Sequence, residues 1–476
     1  MINKQHPYHQ HITTLVVFTT FSVWLLGFVF DASYFYFLHP NHDFDTLVLS
    51  TIVAHIIGYL FFIVIIRNPS SATIVIRFGL LALIASALML MFTSWSITLF
   101  LYFLSSFIAS GIMVGLAYHI KYCIKSSQRF NMMAVILITS NIGLFILTEI
   151  ETLFDSMVSI WFAFGLLVVS FFCSFYMERV HINVDVKHKH SSKLHAHTKR
   201  DLYLLSLLIF IITINGGLMY QVIVPSYVEL GEIVRRVWLW PYMIGVGMFL
   251  FFFTAFNKGT TLILAVAILG FSFVGYLVAP ISVLSFLIVI FLLMIPLGAL
   301  DLFWWGTLAQ MLDESNNPGF VFGVGMIANI LGVLTGILFS MRINDMENAT
   351  ILAVAIALTS VFVVLAIFPL LQSLLQNKSY LQTYYSKPLD QVQHDPVLLE
   401  ILSSLTKREL EITEKIIQGK TYKMISEDLH VSVNTIKFHI KTIYDKFDVN
   451  SRFELVKLIE ITSEYAKLPI VGSDKY

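Results

Sequence analysis

Long apolar runs occupy most of the chain, and short polar stretches separate them. A helix that crosses a bilayer needs about 20 consecutive, mostly apolar residues. About twelve runs meet this criterion, and a polar interruption at 178–201 divides them into two equal sets. The pattern predicts an all-α, polytopic membrane helix bundle. The runs lie at 12–30, 46–66, 73–92, 97–120, 132–150, 157–177, 202–224, 241–256, 260–279, 281–305, 320–341 and 350–375.

Composition agrees with a membrane protein, since 57% of the residues are hydrophobic and 13% are charged, whereas soluble domains carry about 25% charged residues. The two cysteines, Cys123 and Cys173, cannot form a framework of disulfides and are expected to be small core residues. The first run follows Lys4 without a small-residue cleavage site, which predicts an uncleaved first span.

Lysine and arginine predict the orientation of the spans, because they concentrate in cytoplasmic loops. With the N-terminus in the cytoplasm, the outer loops hold only Arg235, Arg236 and Arg342. An even number of spans then places the C-terminus in the cytoplasm as well. The basic residues assigned to inner loops are Arg67, Lys121, Lys125, Arg129, Arg179, Lys187, Lys189, Lys193, Lys199, Arg200 and Lys258.

Two equal sets of spans joined by a basic cytoplasmic loop resemble the major facilitator superfamily of transporters, over residues 12–375. The family's motif between spans two and three keeps Arg67, Arg77 and Gly79 here but lacks its aspartate. This departure weakens transport and favours a sensory role. Paired histidines in the loop 178–201 could hold a transition metal. No carboxylate or cysteine completes a ligand set at fixed spacing, so a solvated basic loop is the favoured interpretation.

The polarity pattern changes after residue 375. The sequence predicts a flexible linker at 376–401, a small domain at 402–467 and a tail at 468–476. Within the domain, capping residues precede short amphipathic runs, which predicts four helices. The predicted caps are Thr406 with Glu409, Gly419, Ser432, and Ser451 with Glu454, and the predicted inward residues include Leu410, Ile412, Ile416, Ile417, Met424, Ile425, Leu429, Val433, Ile436, Ile440 and Ile443.

This domain resembles the C-terminal domain of LuxR-type (NarL/FixJ-like) transcription regulators. The resemblance runs through the domain without a gap, with Phe447 where the family usually has leucine and Ser426 where it has alanine. It implies a small four-helix, helix-turn-helix domain whose third helix enters the DNA major groove. The matching residues are Leu405, Thr406, Arg408, Glu409, Gly419, Ile425, Leu429, Ser432, Thr435, Ile436, Lys437, His439, Ile443, Ser451, Arg452 and Leu455.

The resemblance implies base contacts from the third helix, where Lys437, Phe438 and Lys441 share one face. Lysine can donate to guanine, and an apolar ring can contact a thymine methyl group. Phe438 could instead pack locally. Other basic residues are candidates for phosphate contacts or for ordinary solvated surface. The candidate DNA-binding residues are Thr435, Lys437, Phe438 and Lys441 on the third helix and, for phosphate, Lys423, Lys446 and Arg452.

Charge in the domain is nearly balanced, and non-specific DNA affinity comes mainly from phosphate neutralisation. One copy is therefore expected to bind DNA weakly. We expect a homodimer on a two-fold symmetric site, paired through the fourth helix around Leu455 and Ile459. RNA polymerase is a further expected partner.

Three polar residues within predicted spans are candidates for binding a small-molecule ligand, because polar groups there are costly. Asp301 lies between Pro296 and Trp304 in a span expected to kink. It could hold a cationic or sugar-like solute, or it could end the helix or pair with a neighbour. Asn215 and Gln221 flank the seventh span's glycines. That arrangement predicts either a broken helix or close helix packing.

These features predict a membrane-anchored one-component transcriptional regulator. Its cytoplasmic domain binds double-stranded promoter DNA under the control of a signal sensed in the bilayer. The expected location is the bacterial cytoplasmic membrane, with several spans and both termini in the cytoplasm. The sequence holds no nucleophile–base pair, phosphate-binding loop or metal-ligand helix motif, so an enzyme, a metal site and a cofactor are not expected. The alternative is a major-facilitator-type solute transporter with a regulatory DNA- or partner-binding tail.

Overall fold

The computed structural model describes residues 7–30, 44–90, 94–177, 196–255, 258–344, 346–376, 405–417, 420, 422–447 and 455. The chain falls into two compact units, Met1–Tyr384 and Tyr385–Tyr476. We call their described parts the membrane unit and the head. The described elements are helical, which confirms the all-α class. The predicted linker and tail lie outside the described residues except for Gln376, so the domain boundaries stay predictions.

The membrane unit is a bundle of long helices that follow the apolar runs of the sequence. π-Helical segments, Leu25–Phe30 and Met219–Ile223, continue its first and seventh long helices. The helices are α1 (Pro7–Trp24), α2 (Phe44–Ile65), α3 (Pro69–Leu90), α4 (Trp95–Cys123), α5 (Ser126–Leu153), α6 (Ser156–Ser174), α7 (Ala196–Leu218), the short α8 (Glu232–Val237), α9 (Leu239–Ala255), α10 (Lys258–Val278), α11 (Val283–Met311), α12 (Pro318–Ile343) and α13 (Ala349–Gln376).

Ten helices among the described residues are long and apolar enough to cross a membrane. Two more match predicted runs but are shorter: the apolar segment His11–Gly27 runs through α1 into the following π-helical segment, and α9 has 17 residues. The polytopic helical bundle is therefore confirmed, while the count of about twelve spans stays a prediction. Helix α7 begins at Ala196, so the last residues of the predicted polar interruption are already helical. Arg200 and Asp201 pair there at 3.4 Å, which keeps the buried Asp201 carboxylate next to a cation.

Large apolar side chains cover the outside of the membrane unit. Phe78, Phe251 and Leu284 are each 68% exposed. Exposed apolar patches of this kind mark surfaces that contact something other than water. Lipid tails are such a partner, and helices satisfy their own backbone groups in a bilayer. The surface is therefore that of an integral membrane protein.

A polar cluster joins α4 and α5 to the segment that follows α11. The Arg129 guanidinium is 3% exposed and pairs with Asp313 at 2.9 Å. It also donates to the Lys121 carbonyl at 2.8 Å, and the Lys121 ammonium donates to the Ser315 carbonyl. A buried guanidinium is costly without such partners. The sequence identified Arg129 and Lys121 only as basic loop residues, because their partners lie far along the chain.

The head contains α14 (Lys407–Ile417), α15 (Tyr422–Asp428) and α16 (Val433–Phe447). The predicted fourth helix lies outside the described residues apart from Leu455, which is helical and buried. The described residues of the head core are Ile412, Ile416, Ile425, Ile436, Ile440, Ile443, Phe447 and Leu455.

Two residues predicted to point inward are exposed instead, Leu410 by 44% and Met424 by 48%. Helix α14 buries Glu409 and Thr413 together with its isoleucines, so its inward face is turned away from Leu410. A glutamate therefore occupies part of a face that the pattern assigns to apolar residues. On α15 it is Ile425 that enters the core, which leaves Met424 outside.

Candidate nucleic-acid interface

The Glu409 carboxylate holds the first and third helices of the head together. Its Oε2 atom accepts hydrogen bonds from the Thr406 backbone N–H at 2.7 Å and the Thr406 hydroxyl at 2.9 Å. The Glu409 backbone N–H donates to Thr406 Oγ1 at 3.3 Å, which confirms the predicted capping box. Lys446, at the end of α16, also donates to Oε2 at 2.8 Å. These contacts, led by the Lys446 bond, hold the pKa of the Glu409 carboxyl down at about 2.

The turn between α15 and α16 is closed by backbone hydrogen bonds. Val431 N–H donates to the Ser426 carbonyl at 3.0 Å, and His430 N–H donates to the Glu427 carbonyl at 3.3 Å. This pair of bonds requires a left-handed residue after the helix, and His430 fills the position with a φ of 50°. Arg408 donates to the Leu429 carbonyl at 3.0 Å, so α14 also holds the turn.

We expect His430→Val to destabilise the head by about 1–2 kcal/mol, because β-branched side chains are poorly tolerated in the left-handed region. His430→Asn is the matched control, since asparagine tolerates that region, and it should leave stability nearly unchanged. Thermal unfolding of the head followed by circular dichroism measures both changes. Equal unfolding temperatures for the two variants would contradict this assignment of the turn.

Helix α16 separates an apolar face from an exposed face that carries the predicted DNA contacts. Ser432 caps the helix by accepting from the Thr435 N–H at 3.0 Å. Lys437, Phe438 and Lys441 are exposed on the face opposite the core isoleucines, and the Phe438 side chain is 69% exposed. Phe438 meets the His439 ring edge-on, with centroids 5.9 Å apart. This exposure does not support local packing as the role of Phe438.

Ion pairs inside the head occupy several of its other basic groups. Lys415 and Lys420 both bind Asp428, and these bonds, led by that of Lys420, hold the pKa of the Asp428 carboxyl at about 2. Arg408 pairs with Glu411 at 2.9 Å. Lys446 also pairs with Glu409 inside the head, and its phosphate contact stays a prediction. Lys407, Lys437 and Lys441 form no ion pair with the described acidic residues of the head.

The other predicted DNA-binding residues are Lys423, Arg452 and Thr435. Lys423 lies on α15, and Arg452 lies outside the described residues. Thr435 is exposed, and its hydroxyl lies 2.8 Å from the Ser432 hydroxyl. The described interface therefore consists of one exposed helix face with two lysines around an aromatic ring.

A family model, "Bacterial regulatory proteins, luxR family", matches residues 403–459. "Spore germination protein GerE" of Bacillus subtilis (strain 168) is 40% identical over 52 residues, which cover 11% of this chain and 70% of that protein. The chain belongs to the luxR family. Helices α15 and α16 are the helix-turn-helix of this luxR-family domain.

Longer relatives match a small part of the chain. "Transcriptional regulatory protein LiaR" of Bacillus subtilis (strain 168) is 53% identical over 49 residues, 10% of this chain and 23% of that protein. "Probable transcriptional regulatory protein SgaR" of Hyphomicrobium methylovorum is 39% identical over 70 residues, 15% and 31% respectively. The chain thus spans less than a third of the length of these two relatives.

The membrane unit is similar in fold to a solved transporter. The "crystal structure of a bacterial homologue of iron transporter ferroportin in outward-facing state" matches with a TM-score of 0.57 and 13% identity, covering 77% of this chain and 99% of that one. The same protein with soaked iron gives a TM-score of 0.59, 12% identity and coverages of 78% and 100%. The predicted major-facilitator-like fold is therefore confirmed, and at this identity the likeness concerns the fold alone.

The break predicted near Asn215 is absent, because α7 continues as an α-helix to Leu218 and changes to a π-helix only at Met219–Ile223. The Asn215 amide donates to the Ser360 hydroxyl at 2.7 Å and its oxygen accepts from that hydroxyl at 3.0 Å. Asn215 is 1% exposed. It therefore holds α7 to α13 instead of facing an open site. Gln221 lies in the π-helical segment and is half-buried.

Close packing of α7 on α12 takes the place of the broken helix. A Cβ atom added to Gly336 would lie 2.3 Å from the Ile214 carbonyl oxygen. We expect Gly336→Ala to destabilise the membrane unit by about 1–3 kcal/mol, because backbone atoms cannot move aside as a side chain can. Gly165→Ala is the control, since nothing lies within 4 Å of its added Cβ. Thermal unfolding of the purified protein in detergent should give a lower unfolding temperature for Gly336→Ala than for Gly165→Ala. Equal unfolding temperatures would contradict the close approach of α7 to α12.

Proposed function

We propose that this protein is a membrane-anchored one-component transcriptional regulator of the bacterial cytoplasmic membrane. The head binds promoter DNA through the exposed face of α16, and the membrane unit senses the signal that controls it. The observation that carries the proposal is the exposure of Lys437, Phe438 and Lys441 opposite an isoleucine core, within a luxR-family domain. The basic loop residues support cytoplasmic termini, where a DNA reader has access to its target.

Direct reading of DNA fits the side chains on this face. A lysine can donate to the O6 and N7 atoms of guanine, and the Phe438 ring can contact a thymine methyl group. The internal ion pairs of the head leave few lysines to neutralise phosphates, so a single head has a low electrostatic affinity for DNA. Pairing of two heads on a two-fold site supplies the missing affinity.

The structure bears on Leu455, one of the two residues that the sequence assigned to this pairing. Leu455 has no exposed area and packs in the head core with Ile440 and Phe447. It stabilises the head and cannot contact a partner. We propose that pairing takes place around Ile459, which lies outside the described residues.

Mapping of the chromosomal fragments that co-purify with the full chain tests the proposal. We expect a small set of fragments that share an inverted repeat, with half-sites about one helical turn, 10–10.5 base pairs, apart. The matched control is the full chain with Lys437→Ala and Lys441→Ala, which should recover none of them. Recovery of the same fragments by both proteins would overturn the assignment of α16.

Solute transport is the second candidate function, and the fold of the membrane unit favours it. In that case the head reports transport or docks a partner. Uptake of a labelled solute into proteoliposomes, lost in Asp301→Asn, would support transport. A regulator without transport would shift its DNA footprint on addition of the solute and accumulate none.

A further inference from the structure

Helix α11 carries two partly accessible side chains within an otherwise buried stretch. From Pro296 to Leu312 every residue is buried except Asp301 and Trp305, which are half-buried. Residues four apart lie on the same face of a helix. Because the rest of this stretch is buried, Asp301 and Trp305 share the one accessible face that the stretch has.

Asp301 lies deep along the helix. It precedes the helix end at Met311 by ten residues, which corresponds to roughly 15 Å along the axis. The hydrocarbon core of a bilayer is about 30 Å thick, so Asp301 is placed near its middle. This position excludes the interpretation of Asp301 as a residue at the end of its helix.

Neutral groups hold the Asp301 carboxylate in place. The Tyr242 hydroxyl donates to Oδ2 at 2.9 Å, and the Trp304 indole N–H donates to Oδ1 at 2.9 Å. Among the described residues no lysine, arginine or histidine forms an ion pair with Asp301. A carboxylate within a membrane is costly unless its charge is compensated. The two neutral donors orient the carboxylate but do not compensate its negative charge. Each oxygen also keeps a lone pair that can accept a further hydrogen bond.

Aromatic rings from both sets of helices pack around Trp305. The Trp305 ring lies 5.1 Å from Trp304, 6.0 Å from Phe18 of α1 and 5.4 Å from Phe322 of α12, measured between centroids. Aromatic faces attract organic cations through their ring quadrupole, and more strongly where water is excluded. A carboxylate beside such rings is the combination that recognises an amine or a quaternary ammonium.

We propose that Asp301, Trp305 and Tyr242 form a binding site for a small organic cation, an amine or a quaternary ammonium. A metal ion fits less well, because the Trp304 N–H beside Asp301 offers it no ligand atom and the Tyr242 hydroxyl is the one other oxygen that contacts the carboxylate. Among the described residues, no group of three His, Cys, Asp or Glu side chains could hold a metal ion. A sugar leaves the negative charge uncompensated.

This inference deepens the proposed function, because it names the class of signal that the membrane unit takes. The ring cluster joins α1 and α12 to α11, so Trp305 of the proposed site packs against helices from both halves of the bundle. It can change the arrangement of the halves only as far as it binds two arrangements with different affinity. Control of the head rests on the proposed function, whereas binding itself does not.

Equilibrium binding of radiolabelled tetraethylammonium to the full chain in lipid nanodiscs tests the site. We expect saturable binding that choline displaces and glucose does not. Asp301→Asn keeps the shape and removes the charge, and should weaken binding by about tenfold or more. Trp305→Leu should weaken it by about threefold. Glu314→Gln is the control, since this exposed carboxylate follows the end of α11, and it should bind as the wild type does.

Absence of saturable binding, or binding indifferent to Asp301→Asn, overturns the site. If Asp301→Asn fails to fold, as judged by its unfolding temperature, Trp305→Leu and Tyr242→Phe decide the matter, since both keep the charge. Unchanged affinity in Trp305→Leu then counts against the site. A DNA footprint on the same nanodiscs keeps the two proposals separate. A normal footprint without cation binding overturns only the site, and cation binding without a footprint overturns only the regulator.

Discussion

Replacement of Lys437 and Lys441 by alanine is expected to abolish promoter binding by this protein. Each lysine that contacts a base edge contributes about 1–3 kcal/mol of discrimination. The double variant should therefore lose about 2–6 kcal/mol, roughly 30-fold to 10⁴-fold in affinity at fixed salt. Both residues are exposed and lie away from the core, so the fold of the head should be unchanged. Footprinting of a recovered chromosomal fragment with the full chain in nanodiscs measures the loss.

Lys407→Ala is the matched control for this experiment. Lys407 is also exposed and without an acidic partner in the described head, but it lies at the start of α14. Its removal takes away one positive charge, as each single lysine substitution on α16 does, and should change affinity by less than about threefold. The single variants Lys437→Ala and Lys441→Ala then distinguish a base contact from a phosphate contact. A base contact relaxes sequence preference, while a phosphate contact lowers the salt slope by about one. An unchanged footprint in the double variant would show that α16 does not read DNA.

Substitution of Glu409 by alanine is expected to unfold the head and leave the membrane unit intact. The substitution removes a capping box, worth about 1 kcal/mol, and leaves Lys446 without its buried partner. Breaking a buried ion pair costs about 3–5 kcal/mol, and less here because Lys446 is 30% exposed. A domain of this size has a total stability of only about 3–9 kcal/mol. Circular dichroism of the isolated head and thermal unfolding of the full chain measure the two units separately.

The same carboxylate makes the stability of the head depend on pH. The pKa of Glu409 falls from 4.5 to about 2 on folding, so its contribution is complete above pH 4.5 and is lost as the pH falls towards 2. Glu409→Gln should show a smaller loss across this window than the wild type, with part of the loss remaining because Asp428 behaves similarly. Glu427→Gln, an exposed control on α15, should follow the wild-type curve. Equal curves for Glu409→Gln and the wild type would remove Glu409 as the cause.

Local patterns in the sequence correctly predicted the local structure of the head. The capping box at Thr406, the cap at Ser432 and the buried isoleucines of α16 all depend on residues three or four positions apart. Such contacts form within one helix, so spacing is enough to find them. The surroundings of Lys446 and Leu455 could not be predicted from spacing, for the opposite reason. The partner of Lys446 lies 37 residues away, and the burial of Leu455 depends on packing between helices.

In the membrane unit, apolar run lengths determined that the chain forms bilayer-spanning helices, because lipid excludes unsatisfied backbone groups. The same runs could not show which face of each helix points inward, since lipid tails and the bundle interior are both apolar. Only packing decided that Asn215 meets Ser360 and that Tyr242 meets Asp301, across 145 and 59 residues of chain. A polar pair within a bundle is specified by how helices approach one another, and that approach is a property of the tertiary structure.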